Sequence, residues 1–301
     1  PGGMGKTRLA LSAGEHLRRE GQLFRGGIFF IPLVGLNSAA EMLSATAAVL
    51  GLAAPGSDIT LAQIAAFLRP RQALLILDNF EHLLTPQNSE AAQQIARLLQ
   101  EAAGVRLLVT SRERLNLSGE WTLALEGLEV PPADTPAEQA QRFSGVQLFL
   151  NTARRSRPGF ALQAEDLPWV ARLCRQVEGL PLAIELAAGW AHSLSCQEIA
   201  EEVERGMSLL VSRLRDAPER HRSLQAVFDN SWRLLSHAEQ RVFCQLAVFR
   251  GGFRRPAAER VAGASLAALT GLADKSLLRR TPDGRYQMHI PVSYTHLRAH
   301  E

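Results

Sequence analysis

The sequence predicts an α/β fold: a parallel sheet comes first, followed by a helical domain and then by helices that end in a β-hairpin. Three observations support this prediction. The first residues form a glycine-rich loop that opens an apolar helix. Short apolar runs then alternate with helical segments, which is typical of a parallel sheet covered by helices. After Pro131 and Pro132 the strand patterns end, and one helical pattern follows another.

Composition and charge are those of an ordinary globular protein. The chain has 301 residues, 46% of them hydrophobic, and a formal net charge of +3, so it can form two or three domains with sizeable cores. The basic excess is spread out and by itself indicates neither nucleic-acid nor membrane binding. No transmembrane run is present, and we expect a cytoplasmic protein. Its three distant cysteines should be buried free thiols: Cys174, Cys196 and Cys244.

Four apolar runs predict the strands of the sheet. They lie at 28–33, 73–78, 105–110 and 121–125. The run at 73–78 is apolar up to its final aspartate, so both of its faces should be covered. Helices are expected between the strands, at 60–70, where Thr60 and Gln63 form a capping box, and at 89–104.

The later part of the chain predicts helices and one hairpin. Helices are expected at about 145–154, 167–178, 181–192, 196–205, 224–235 and 236–248, with two short ones after them. The hairpin is predicted at 277–289, with a turn at 282–284. Helices followed by such a two-stranded wing are typical of a winged-helix domain.

Residues 1–7 match the end of the pattern G-x-x-x-x-G-K-[ST], the phosphate-binding loop of P-loop proteins. The opening glycine of the pattern would precede Pro1, so we expect the sequence to begin inside this loop. Phosphate oxygens need several backbone N–H donors that converge on one point. Gly2, Gly3 and Gly5 allow this because they have no Cβ to block the approach.

The residues after these glycines supply what a bound nucleotide needs. Lys6 would reach the β- and γ-phosphates of ATP or ADP, and the hydroxyl of Thr7 would bind Mg²⁺. The helix that begins near Arg8 would add its positive dipole end, so Arg8 belongs to the predicted nucleotide-binding residues. We expect Lys6 to act in catalysis as well as in binding.

A P-loop needs a second element, an acidic residue at the end of a buried strand that holds Mg²⁺. Asp78 fits this role because it ends the apolar run at 73–78. Many fast P-loop ATPases have a carboxylate directly after this aspartate to orient the attacking water, but this chain has Asn79. An amide can position a water but cannot accept its proton. Glu81 is close in sequence and could substitute, and we expect slow or conditional hydrolysis.

The third predicted strand ends in Thr110, Ser111 and Arg112. Its carboxyl end should point towards the same crevice as the loop. There the guanidinium of Arg112 could sense the γ-phosphate and take part in catalysis. Arg114 lies two residues further on, so the sequence leaves the choice between the two arginines open.

These motifs occur in a fixed order that resembles one family. The set is P-G-G-M-G-K-T, L-L-I-L-D-N-F-E-H-L, L-L-V-T-S-R-E-R-L, G-L-P-L-A-I-E-L-A-A and a late M-H. Over about residues 1–290 the chain resembles the STAND class of signalling ATPases, specifically the bacterial NB-ARC-type regulators related to apoptotic and plant-immunity switch proteins. Pattern and resemblance together predict a P-loop NTPase domain at 1–130 without its first strand, a small helical domain at 140–215 and a winged-helix domain at 220–290.

The resemblance implies roles for two further residues. Pro181 of the G-L-P-L motif would pack against the adenine, and His289 would contact the β-phosphate of ADP and lock a closed state. The family pattern usually has an acidic residue after this histidine, and this chain has Ile290. In such relatives, exchange of ADP for ATP opens the domains and allows self-association.

We therefore expect an ATP/ADP switch with slow ATP hydrolysis that controls signalling or transcription through domains outside this sequence. One alternative is a continuously cycling P-loop ATPase, against which Asn79 argues. Another is a winged-helix DNA-binding regulator. Its recognition helix at 265–274 would offer no Arg, Asn or Gln to read base edges, so we do not expect direct DNA binding. The sequence does not identify the activator.

The last residues follow a different pattern. The run at 292–301 resembles the translation of a sequencing-library adapter, so 291–301 is excluded from the predicted fold. His296 and His300 are four residues apart within it, but no further ligand lies nearby, and we predict no metal site there. The expected metal is Mg²⁺, with Thr7 and Asp78 as its protein ligands.

Overall fold

The computed structural model describes residues 2–53, 58–84, 90–206, 210, 223–249, 251–281 and 283–288. The chain divides into two compact units. One unit is Lys6–Leu123, and the other is Ala124–Glu301 together with Pro1–Gly5. The predicted division into three domains and a tail stays a prediction.

The unit Lys6–Leu123 is built on a three-stranded parallel sheet. Its strands are β1 (Ile28–Pro32), β2 (Ala73–Asp78) and β3 (Val105–Val109), in the order β1-β2-β3. β2 is central, and the register places Ile76 between Phe30 and Leu108. The predicted parallel sheet is confirmed for the first three of the expected strands.

Helices connect these strands and cover both faces of the sheet. They are α1 (Lys6–Glu20), α2 (Ala39–Val49), α3 (Leu61–Leu68) and α4 (Glu90–Glu101), with a 3₁₀ turn at Phe80–Leu83. Leu74 and Ile76 pack with Ala10 of α1, whereas Leu75 and Leu77 belong to the cluster formed with α2, α3 and α4. All of β2 is buried, as expected for a central parallel strand.

The fourth predicted strand, at 121–125, is wrong. The segment forms no strand among the described residues, and Trp121 is 97% exposed. Aromatic and β-branched residues favour a strand only where a neighbouring strand offers hydrogen bonds and a packing surface. Composition suggested a strand here, but no strand in the described ranges pairs with this segment.

The other unit begins with a helical region. Its helices are α5 (Ala137–Ala140), α6 (Ser144–Ser156), α7 (Leu167–Gln176), α8 (Pro181–Ala188) and α9 (Cys196–Arg205), with a 3₁₀ turn at Gly189–His192. Ser195 and Glu198 form the predicted capping box of α9. Pro181 lies in the first turn of α8, where a missing N–H leaves no helical bond unmade. Phe149 and Ile184 lie in the core that these helices share.

Four more helices and a hairpin follow. They are α10 (Leu224–Arg233), α11 (His237–Leu246), α12 (Arg255–Ala262) and α13 (Leu266–Asp274), and then the antiparallel strands β4 (Leu278–Arg280) and β5 (Tyr286–Met288). Ser236 and Glu239 form the predicted capping box of α11. Phe243, Leu269 and Tyr286 lie in one core cluster that joins helices and hairpin.

Some predicted features lie outside the described residues. They are the linker at 216–221, the turn residue Pro282, His289, Ile290 and the tail at 291–301, which includes His296 and His300. All three cysteines are free; Cys174 and Cys196 are buried as expected, whereas Cys244 is partly exposed. Within the described part of the chain, every helix is too short or too polar to cross a membrane.

Candidate functional site

The carboxyl ends of β2 and β3 gather buried polar side chains. Among the described residues only six polar or charged residues are buried, and four of them lie here: Asp78, Glu81, Thr110 and Arg112. Burying such groups costs free energy unless they are paired. Their concentration at one edge of the sheet therefore marks a site.

Asp78 ends β2 and is held by the end of β3. Thr110 donates its backbone N–H to Leu77 O at 2.9 Å, which continues the strand pairing by one residue. This places the Thr110 hydroxyl beside Asp78, where it donates to Asp78 Oδ1 at 2.5 Å. Thr110 was not predicted as a site residue, although a polar residue at the carboxyl end of a neighbouring parallel strand could have indicated it.

The start of α1 reaches the same aspartate. Thr7 Oγ1 donates to Asp78 Oδ1 at 2.7 Å, although the two residues are 71 positions apart. α1 begins at Lys6, slightly before the predicted start near Arg8, because helical backbone starts directly after the positive φ of Gly5. Arg8 lies in the first turn with an exposed side chain, and its place among the nucleotide-binding residues stays a prediction.

Lys6 begins α1 and precedes Thr7, which contacts Asp78. Burial lowers the pKa of Lys6 from 10.5 to about 8; the negative charges of Glu81 and Asp78 act to raise this pKa, and the positive charge of Arg112 acts to lower it. The fold therefore brings together the predicted residues Lys6, Asp78 and Arg112.

The two candidate arginines occupy different places. Arg112 is 5% exposed, and its Nε lies 3.3 Å from Glu81 Oε1. Arg114 is exposed. A planar guanidinium held by a buried carboxylate has little freedom left to lose when it binds an anion. The structure thus places Arg112, not Arg114, in the buried cluster.

The turn after β2 presents one amide and one carboxylate. Asn79 has a left-handed backbone conformation (φ 66°), which asparagine tolerates better than most residues. Its backbone N–H donates to Thr110 Oγ1 at 3.0 Å, and its Nδ2 donates to Glu81 Oε1 at 3.3 Å. Glu81 was considered only because it is close in sequence, and the fold makes it part of the site.

The loop glycines belong to the other unit. Gly3 and Gly5 have φ values of 76° and 81°, a region that favours glycine. Gly3 O accepts a hydrogen bond from the backbone N–H of Leu182 at 3.2 Å, the residue after Pro181. A Cβ on Gly3 would lie 3.0 Å from Leu182 Cβ, and Gly2 is buried. The loop thus contacts the G-L-P-L motif directly.

The donor types at Asp78 fit Mg²⁺. Thr7 and Asp78 both offer oxygen ligands, and Thr7 Oγ1 lies 2.7 Å from Asp78 Oδ1. Mg²⁺ usually takes one or two protein oxygens and completes its shell with water and phosphate oxygens. Within the described ranges, no three His, Cys, Asp or Glu residues form a group that could hold a metal. Two protein oxygens with further ligands from the nucleotide and water fit the residues present.

Comparison with known sequences finds relatives of greater length, and no protein-family model matches the chain. A Mycobacterium tuberculosis protein named "Putative HTH-type transcriptional regulator Rv0890c" is 33% identical over 287 residues, which cover 92% of this chain and 30% of that protein. The "Uncharacterized protein Rv0894" of the same organism is 32% identical over 261 residues, which cover 87% of this chain and 62% of that protein. The chain therefore spans less than two thirds of either relative.

Comparison of structures gives the fold. The Walker-type ATPase PABY2304 of Pyrococcus abyssi superimposes with a TM-score of 0.55 and 12% sequence identity, over 91% of this chain and 85% of that one. The chain has a P-loop ATPase-like fold. This agrees with the parallel sheet, its helices and the loop at the start of α1, and it assigns no role to any single residue.

Proposed function

We propose that this chain is the nucleotide-binding part of an ATP/ADP switch of the STAND, NB-ARC type. The observation that carries the proposal is the 2.7 Å hydrogen bond between Thr7 and Asp78 beside Lys6. A loop hydroxyl and a strand-end carboxylate are the two protein ligands of Mg²⁺ in P-loop proteins. The P-loop ATPase-like fold and the relative named as a transcriptional regulator support the same assignment.

The residues of the site would divide the binding of the nucleotide among them. Mg²⁺, when bound, would neutralise charge on the β- and γ-phosphate oxygens, and Thr7 and Asp78 would hold it. Lys6 has a pKa of about 8, so it is mostly charged at neutral pH and can donate to a phosphate. Arg112, held by Glu81, would contact the γ-phosphate and so distinguish ATP from ADP.

Slow hydrolysis would favour a switch over a cycling enzyme. Asn79 stands where many fast P-loop ATPases have a carboxylate, and it cannot itself accept a proton, so we expect hydrolysis slow enough for an ATP-bound state to persist. A ligand shifts an equilibrium between two states only by its different affinity for them. We propose that Arg112 provides that difference at the γ-phosphate, that Pro181 packs against the adenine and that His289 contacts the β-phosphate of ADP. The ATP state would then self-associate.

The last helices and the hairpin are proposed to form a winged-helix domain. α11, α12 and α13 precede the antiparallel strands β4 and β5, and one core cluster joins them. α13 has the sequence LAALTGLAD, which offers no Arg, Asn or Gln to a base edge. We propose that this domain regulates the switch, and that any transcriptional output belongs to other parts of the protein.

Nucleotide released from the denatured protein tests this function. The purified chain is denatured and the nucleotide identified by chromatography, with Lys6→Ala as the variant and Arg19→Ala, an exposed cation on the same helix, as the control. We expect about one ADP per chain in wild type and control, and at least about tenfold less in Lys6→Ala, which loses a charged hydrogen bond. An empty wild-type protein that turns over ATP rapidly would identify a cycling ATPase instead.

A further inference from the structure

The carboxylate of Glu81 is buried and only half satisfied. Its side chain is 1% exposed. Oε1 lies 3.3 Å from Arg112 Nε and accepts from Asn79 Nδ2 at 3.3 Å. Oε2 is buried and has no hydrogen-bond partner among the described residues. An unmet buried acceptor costs free energy, which a group that binds at the site would recover.

Asn79 carries a second unmet acceptor of the same kind. Its Oδ1 is also buried without a hydrogen-bond partner in the described part of the chain, while its Nδ2 donates to Glu81. The side chains of Asn79 and Glu81 are therefore in contact, and each has one oxygen left over. A water molecule has two O–H groups and can donate one to each oxygen.

The turn that carries both residues is held firmly. Asn79 precedes the 3₁₀ turn Phe80–Leu83, and Phe80 donates its backbone N–H to Thr110 O at 3.0 Å. The Asn79 N–H donates to Thr110 Oγ1. The turn is thus fixed to the end of β3, and Arg112 contacts the carboxylate, so both unpaired oxygens are held in place.

Hydrogen bonds also connect Glu81 to the expected magnesium ligand Asp78. The Thr110 hydroxyl donates to Asp78 Oδ1 and accepts from the Asn79 N–H, and Asn79 Nδ2 donates to Glu81 Oε1. The Glu81 carboxylate therefore lies next to the residues that are proposed to hold Mg²⁺.

We propose that Glu81 and Asn79 hold the water that attacks the γ-phosphate of ATP, and that Glu81 accepts its proton. The proposal rests on the proposed function. The water oxygen forms a bond to the γ-phosphorus as the bond from that phosphorus to the bridging oxygen of ADP breaks. The proton passes to Glu81 Oε2 and then to phosphate or solvent, and ADP and inorganic phosphate leave. Asn79 orients the water, which Glu81 deprotonates.

The test compares Glu81→Gln with wild type. Glutamine keeps an acceptor for Arg112 but is no base, so we expect single-turnover ATP hydrolysis with Mg²⁺ to fall at least about 100-fold. ADP affinity, titrated on nucleotide-free protein, should stay within about threefold, since the change affects the reaction and not binding. Protein purified after incubation with ATP should release ATP from the variant and ADP from wild type. Glu101→Gln, an exposed glutamate of α4, should match wild type.

A second variant removes the other acceptor without straining the backbone. Asn79→Gly tolerates the left-handed conformation and should slow hydrolysis about tenfold with ADP affinity retained. Three results would each overturn the role of Glu81 and leave the switch in place. They are wild-type hydrolysis rates in both variants, equal losses of ADP affinity and of hydrolysis rate, and a wild type that binds ATP without hydrolysing it. Equal nucleotide content in wild type and Lys6→Ala would instead overturn the proposed function.

Discussion

Among the described residues, Glu81 pairs with a buried cation and Glu239 with a partly buried one, and the two glutamates differ in how many of their oxygens have hydrogen-bond partners. Glu239 of α11 accepts from Lys275 Nζ on both oxygens, at 3.0 and 2.8 Å, and from the backbone N–H and hydroxyl of Ser236 at 2.7 and 2.8 Å. Glu81 has one oxygen engaged, and the other has no partner among the described residues. A buried polar group with all its hydrogen bonds made rigidifies a fold, whereas one with an unpaired atom lowers the free energy of unfolding.

Burial makes this contrast sharper. The side chains of Glu81 and Arg112 are 1% and 5% exposed, and those of Glu239 and Lys275 are 15% and 16% exposed. The more deeply buried pair is thus the less satisfied, which is the reverse of what stability alone favours. Violations of the packing rules concentrate at functional sites. The comparison therefore separates an ion pair that we interpret as structural from the pair at the candidate site.

The local surroundings of Glu239 show how a structural pair is completed. Lys275 also donates to Leu234 O at 3.0 Å, so one ammonium joins the end of α10, the start of α11 and the end of α13. Gly271 allows the close approach, since a Cβ there would lie 2.8 Å from Glu239 Oε1. The ammonium thus donates to three protein oxygens, Leu234 O and both carboxylate oxygens of Glu239.

The largest effect is expected from Arg112→Met. The change leaves the Glu81 carboxylate buried without its cation, so the free energy of unfolding of nucleotide-free protein should fall by about 3 kcal/mol at neutral pH. ATP affinity should fall at least about tenfold, and ADP affinity less, because the guanidinium is proposed to contact the γ-phosphate. Urea denaturation and nucleotide titration measure the two effects. Equal losses for ATP and ADP would contradict the γ-phosphate contact.

Lys275→Met should destabilise the protein without changing its nucleotide affinity. Its pair is less deeply buried than that of Arg112, so we expect a loss of about 2 kcal/mol in the free energy of unfolding. ADP affinity should stay unchanged. Arg260→Met, an exposed cation of α12, should change stability by less than about 0.5 kcal/mol. A loss of ADP affinity in Lys275→Met, with stability intact, would break the distinction between the two pairs.

The pH dependence of stability should depend on Glu239. Burial alone would raise the pKa of Glu239, but hydrogen bonds from Lys275 and Ser236 hold this pKa below its ordinary value of 4.5. The stabilisation is therefore present above about pH 4.5 and is lost as the pH falls through the lower folded-state pKa. Wild type should therefore lose more stability than Glu239→Gln as the pH falls below about 4.5. A pH-independent difference in urea denaturation would contradict this.

The smallest effect is expected at an exposed pair. Arg279 Nη2 lies 2.7 Å from Glu126 Oε1, but the two side chains are 48% and 65% exposed. Solvent screens such a pair, so Glu126→Gln should change the free energy of unfolding by less than about 0.5 kcal/mol. A loss above about 1 kcal/mol in thermal or urea unfolding would show that burial is not what distinguishes the pairs at Glu81 and Glu239.

Features that depend on neighbouring residues were determined by the sequence itself. The capping boxes at Thr60, Ser195 and Ser236 each join residues three apart, so local spacing is sufficient to predict them. The continuous apolar run of β2 predicted a strand covered on both faces, and the loop spacing predicted Lys6 as a site residue. The prediction for Asp78 followed because it ends that strand.

Features that depend on which strand lies beside which were decided only by the tertiary structure. The expected strand at 121–125 had suitable residues but no neighbour, and propensity cannot supply one. Thr110 beside Asp78, and Arg112 instead of Arg114, follow from the register of β2 and β3. The open oxygen of Glu81 follows from a left-handed turn at Asn79 fixed to Thr110, a contact across 31 residues. Such contacts join distant parts of the chain, and no local pattern in the sequence records them.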